Sequence, residues 1–156
     1  MISAPYRKLP LALTILKQAN VLLTFFYYIL YPVFLIYVFF VNRSMVLKCI
    51  LIPALSFVVV SLIRKLINRK RPYETCIENP LISKDTKGNS MPSRHVFSSV
   101  MISMTVLYFF SVFGVVLLAI SMLEGLIRIV GGIHYPSDVF VGYIAGVLCG
   151  LLYWFL

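Results

Sequence analysis

An all-α bundle of transmembrane helices is the fold class this sequence predicts, and three observations predict it. Of its 156 residues, 61% are hydrophobic and 12% charged, with a mean hydropathy of +0.97, whereas an average soluble domain is about 25% charged. The apolar residues fall in long uncharged runs, and the charges gather in a few polar breaks between them. Lipid satisfies no backbone hydrogen bonds, so a spanning chain is either helical or a closed barrel. The alternating strands of a barrel are absent from the pattern. One domain over residues 1–156 is expected, with about five spanning helices and an N-terminal interfacial helix.

The elements follow in order. The first twenty residues carry a basic patch and a short apolar stretch without a clear cleavage site, which predicts a retained helix lying at the interface. Val21 to Val41 is uncharged and meets the roughly 20 residues that one crossing takes. Asn42, Arg43 and Ser44 break it, and a second run goes from Met45 to Ile63, with Lys48 near enough to its start to snorkel. Asn68 to Arg94 is polar and holds Pro72, Pro80, Gly88, Asn89 and Pro92, so it reads as the one long loop. Val96 to Val130, interrupted only by Glu124 and Arg128, is too long for one crossing. A turn at Ser111 to Gly114 is expected to fold it into a helical hairpin, and Val139 to Leu156 supplies the last crossing.

Counting crossings brings the polar breaks together. His95 and His134 lie 39 positions apart, a helical path of roughly 58 Å, close to two crossings of a ~30 Å core. Both histidines therefore return to one membrane face, where Arg64 to Arg71 also ends. The net charge of +9 does not indicate nucleic acid, because the aromatics sit inside apolar runs rather than on an accessible basic face. Anionic phosphate headgroups of lipids fit the clustered cations better. Cys49, Cys76 and Cys149 have no metal-ligand or CxxC spacing.

Three segments meet at that face: Arg64 to Pro72, then Pro92-Ser93-Arg94-His95, then Arg128 with His134 and Asp138. Cations, two imidazoles and a carboxylate suit phosphoryl transfer, where positioning and charge neutralisation dominate. No group of carboxylates is present to hold Mg²⁺, and two histidines with one aspartate among arginines make a poor zinc site. The site is expected to need no metal and no cofactor. His134 follows Gly131-Gly132 in a corner, and Asp138 can take a hydrogen bond from one imidazole nitrogen and leave the other free to attack phosphorus. Ser93 is placed as an N-cap whose helix N-terminus can hold phosphate oxygens, and His95 can then protonate the leaving oxygen. Glu124, one turn before Arg128, is expected to pair with it and lower the cost of both in the membrane.

These segments resemble the three signature motifs of the type-2 phosphatidic acid phosphatase superfamily, Lys-x6-Arg-Pro, Pro-Ser-Gly-His and Ser-Arg-x5-His-x3-Asp. The resemblance runs from about residue 20 to the end of the chain. It implies a lipid phosphatase with a phosphohistidine intermediate. His134 would be the nucleophile, Asp138 its orienting partner, His95 the leaving-group acid, and Arg71, Ser93 and Arg128 the phosphate ligands. The family's lysine falls at Arg64, with Lys65 adjacent, and either cation can bind phosphate. Its glycine is Arg94 here and its serine is Ile127. Arg94 either points to bulk water and acidic headgroups or pairs with a second phosphate of a diphosphate substrate.

The resemblance implies undecaprenyl diphosphate, phosphatidylglycerol phosphate and phosphatidic acid as candidate substrates. A lipid phosphotransferase and a non-catalytic lipid-binding protein are the alternatives, and retention of both histidines argues against the latter. The cations would normally mark the site's face as cytoplasmic, but most have a role in the site. The resemblance favours a multi-pass cell-membrane protein with the site outside the cytoplasm. Oligomeric state is left open.

Overall fold

The computed structural model describes residues 10–76, 80–82 and 86–156. These residues form a multi-pass helical bundle with no strand among them: α1 (Pro10–Val41), α2 (Arg43–Ile67), the short α3 (Pro72–Thr75), α4 (Arg94–Phe109), α5 (Ser111–Val130), α6 (Pro136–Gly150) and the short α7 (Leu152–Phe155). The expected apolar helices are all present. Four stretches are long and apolar enough to cross a bilayer, Pro10–Val41, Arg43–Thr75, Ser111–Val130 and Pro136–Phe155.

The fifth helix, α4, has 16 residues, about 24 Å at 1.5 Å per residue, somewhat short of a ~30 Å core. It is the central helix. It packs against α1, α2, α5, α6 and α7, and nine of its 16 residues are buried, whereas α1 buries only Tyr27, Phe34 and Val38. The outward residues of α1 and α2, among them Leu22, Phe25, Phe40, Leu55 and Leu66, are exposed and apolar, as a lipid-facing coat requires.

Between helices, where lipid leaves no hydrophobic driving force, small and polar residues make the contacts. The Tyr27 hydroxyl of α1 donates to the Leu117 carbonyl at 2.7 Å and meets Ser121 Oγ at 2.8 Å. Ser121 in turn meets Ser103 of α4 at 3.0 Å. On the opposite side Thr105 meets the Tyr153 hydroxyl at 3.0 Å. Gly142, Gly146 and Gly150 recur every fourth residue on the α6 face against α4. A Cβ at Gly142 would lie 2.7 Å from the Ser93 carbonyl oxygen, so this glycine lets α6 reach the very start of α4.

Two expectations on element boundaries are corrected. The segment expected as a separate interfacial helix continues without a break into the first crossing from Pro10 onward, and residues 1–9 of that expectation lie outside the described residues. Lys17, Gln18 and Asn20 interrupt the apolar character but not the helix, because no glycine or proline lies between residues 11 and 31. At 32 residues, about 48 Å, α1 exceeds the hydrocarbon core and its first turns reach beyond it. The hairpin turn lies at Phe110, with extended φ −137 and ψ 93, rather than at Ser111 to Gly114. Those four residues form the first turn of α5. Gly114 is used for contact instead of turning, since a Cβ there would stand 2.2 Å from the Leu107 Cα.

Candidate active site

The polar breaks converge at the end of the bundle where α2 finishes, α4 begins and the α5–α6 corner turns. Two backbone devices build this corner. Gly132 takes φ +76, a left-handed conformation that costs a glycine little. Pro136 then starts α6, where its fixed φ suits a first helical turn. Asp138 sits in that first turn and its Oδ2 accepts from the Tyr135 backbone N–H at 3.0 Å. The Ser93 backbone N–H donates to the Asp138 carbonyl at 3.0 Å, which ties the start of α4 to the start of α6.

His134 is 2% exposed. Its Nδ1 lies 3.5 Å from Asp138 Oδ2, while its Nε2 is buried with no hydrogen-bond partner among the described residues. Burial pushes the imidazole down to about 4; the nearby Arg71 and Arg128 charges push the same way, and Asp138 pulls against them. The ring is therefore neutral near pH 7. With Nδ1 directed at a carboxylate, Nε2 is the nitrogen left with a lone pair.

Arg71 is buried, its Nε donating to the Gly88 carbonyl at 3.0 Å. Its Nη1 has no partner among the described residues, and neither has Ser93 Oγ. Ser93 stands at the N-cap position of α4 yet makes no side-chain capping bond. Buried polar atoms are nearly always paired. Arg71, Ser93 and His134 each carry one that is unpaired among the described residues at this end of the bundle.

The other expected residues take distinct places. Arg64 is buried and its Nη1 donates to the Pro92 carbonyl at 2.8 Å, fixing the backbone just before Ser93, whereas Lys65 is exposed. Both line a cavity of about 170 Å³ together with Arg71, Lys87 and Arg94, and no carboxylate lines it among the described residues. Arg94 is exposed and its guanidinium lies 5.6 Å from the centre of the Phe57 ring. His95 is half-buried in the first turn of α4 and lines a second cavity of about 210 Å³ with Arg94, Tyr28 and Glu124. Arg128 is buried and paired as expected, its Nη2 at 3.0 Å and Nε at 3.4 Å from Glu124 Oε1. Its Nη2 also donates to Thr24 of α1 at 2.9 Å.

Two residues at this site escaped the sequence reading. Arg69 Nη1 donates to Asp138 Oδ1 at 2.8 Å and to Ser137 Oγ at 2.7 Å, and the guanidinium lies 4.2 Å from the centre of the Tyr135 ring. Ser90, fully buried, donates to Asp138 Oδ2 at 2.5 Å and lies 3.4 Å from His134 Nδ1. Arg69 is hidden in sequence by the run of cations from Arg64 to Arg71. Ser90 reads as an ordinary loop serine.

Comparison with known proteins follows the same residues. The PAP2 superfamily model matches residues 45–156. The bacitracin transport permease protein BcrC of Bacillus licheniformis is 30% identical over 115 residues, covering 72% of this chain and 56% of that protein. The chain thus spans little more than half the length of that relative. The crystal structure of Aquifex aeolicus LpxE aligns with a TM-score of 0.75 at 27% identity, over 94% of this chain and 87% of that one. The crystal structure described as the first transmembrane PAP2 type phosphatidylglycerolphosphate phosphatase, from Bacillus subtilis, aligns with a TM-score of 0.78 at 20% identity, over 97% and 80%. At that identity it speaks to the fold alone.

Proposed function

The chain belongs to the PAP2 superfamily, and from that premise we propose that it is a membrane lipid phosphatase, removing phosphate from a lipid mono- or diphosphate through a phosphohistidine at His134. The observation that carries this reading is the trio of buried, unpartnered atoms: Arg71 Nη1, Ser93 Oγ and His134 Nε2. A phosphoryl group offers acceptors to the first two and an electrophile to the third.

The lipid enters with its tail along the apolar groove between α1, α2 and α4. This groove, about 340 Å³, is lined by residues such as Tyr31, Leu35, Pro53 and Met101. It shares Tyr28, Phe57 and Ser98 with the cavity that holds His95. His134 Nε2 attacks phosphorus, Asp138 stabilises the charge that develops on the ring, and His95 gives a proton to the leaving oxygen. Water then hydrolyses the phosphohistidine. Arg71, Arg128 and the cations around Arg64 neutralise the transferring group. With the arginines placed to neutralise the group, the reaction is expected to run without a metal.

Purified protein in detergent should release phosphate from lipid mono- and diphosphates in excess EDTA. Loss of turnover that Mg²⁺ or Zn²⁺ restores would remove this mechanism. Phosphate appearing on an added lipid alcohol in place of free phosphate would make the protein a transferase.

We further infer that the site faces away from the cytoplasm. Arg64, Arg69 and Arg128 each have an internal partner, so their charge has a cause other than the positive-inside bias. Cys76 is exposed in the loop on the site's face. A membrane-impermeant thiol reagent should label it in intact cells, and labelling only after permeabilisation would reverse the orientation.

A further inference from the structure

Glu124 is a carboxylate in an apolar helix, 2% exposed, and its pairing is one-sided. Oε1 takes both Arg128 bonds and lies 3.5 Å from the Thr24 hydroxyl. Oε2 is buried with no partner among the described residues. The ion pair with Arg128 occupies only one of the two carboxylate oxygens, and the second is left without a donor among the described residues in a low-dielectric site, where an unpaired acceptor is costly. Glu124 also lines the 210 Å³ cavity that contains His95.

The chemistry of that cavity follows from its walls. In the mechanism above His95 protonates the leaving oxygen, so the group attached to that oxygen lies in the cavity beside His95. The tail continues into the apolar groove, which shares lining residues with it. The stretch between phosphoester and tail therefore passes Glu124. A second phosphate joined directly to the leaving oxygen, as in a lipid diphosphate, is opposed there by the carboxylate, and an ammonium by Arg94 on the wall and Arg128 behind Oε1. A neutral donor meets neither objection.

We propose that this cavity is a headgroup site in which Glu124 Oε2 accepts a hydrogen bond from a hydroxyl on the leaving group. The preferred substrates are then lipid phosphates whose phosphate is borne by a hydroxylated linker, such as glycerol or a sugar, rather than by a bare polyprenyl or diacylglycerol alcohol. This rests on the phosphatase reading and narrows it. Glu124 acts here as a specificity-determining residue and, through Arg128, as a positioning residue.

The test compares phosphatidylglycerol phosphate with its analogue lacking only the central hydroxyl of the phosphorylated glycerol, equal in charge and length. The wild-type protein should favour the hydroxylated lipid by about 10- to 100-fold in kcat/KM, the range of a charge-assisted hydrogen bond. Glu124→Gln should bring that ratio to within about threefold, and the rate on the deoxy lipid reports separately any disturbance of Arg128. Equal wild-type rates on the two lipids, or a ratio that survives in Glu124→Gln, would overturn the headgroup site while leaving the phosphatase reading intact. No phosphate release from either lipid, nor from phosphatidic acid or an aryl phosphate, would overturn both.

Discussion

His134→Ala should lower lipid-phosphate turnover by at least about a thousandfold, because it removes the proposed nucleophile. The companion variant separates the two imidazoles. His95→Ala should slow a lipid whose leaving group is an alcohol by roughly 100- to 10,000-fold, the span of general-acid catalysis. It should leave an activated aryl phosphate, whose phenolate needs no proton, within a few-fold of wild type. The structure motivates the asymmetry: His134 lies against Asp138 with one nitrogen unpaired, whereas His95 lines the cavity toward the groove. If His95→Ala impairs the aryl phosphate as severely as the lipid, His95 is not the leaving-group acid.

Arg69→Gln carries the second large effect expected, roughly 10- to 100-fold in kcat with KM nearly unchanged. Arg69 contacts the residues around Asp138. It holds Asp138 by one oxygen and Ser137 beside it, with its plane against Tyr135. Asp138 can then direct its other oxygen at Ser90 and His134. Without that hold the imidazole loses its fixed direction, and a displacement of about 1 Å in a reacting group can cost on the order of a hundredfold. Arg69→Lys keeps the charge but not the planar fork and stacking, so it should recover only part of the rate. Because the effect acts through His134, it should be equal for aryl and lipid phosphates. Turnover within twofold of wild type in Arg69→Gln would show that Asp138 is held by Ser90 and the Tyr135 backbone alone.

Much of this architecture was legible from the chain because the bilayer imposes length. Uncharged runs such as Val21 to Val41 can only be crossings, and the 39-residue interval from His95 to His134 returns them to one face by arithmetic. The pair Glu124–Arg128 was legible for a similar reason, since helical spacing and the cost of lone charges in lipid leave few other arrangements. What escaped depends on tertiary contact. Gly114 reads as a turn former, and only the packing of α5 on Leu107 shows that its missing Cβ is used for approach. Arg69 is one of five cations between Arg64 and Arg71, and nothing local distinguishes the one that reaches Asp138 across 69 positions. Ser93 reads from the chain both as a cap and as a phosphate ligand, and the structure shows only that its hydroxyl makes no capping bond, a distinction that spacing does not carry.

The proposed nucleophilic role of His134 is tested most directly by trapping the covalent intermediate. Purified protein is mixed with a lipid phosphate radiolabelled in the phosphoryl group, quenched in alkali within one turnover, and digested for peptide mapping. An acid-labile, alkali-stable label on the peptide that carries His134, absent from His134→Ala and retained in EDTA, is the expected result. Label on any other residue, or steady turnover by His134→Ala, would contradict it.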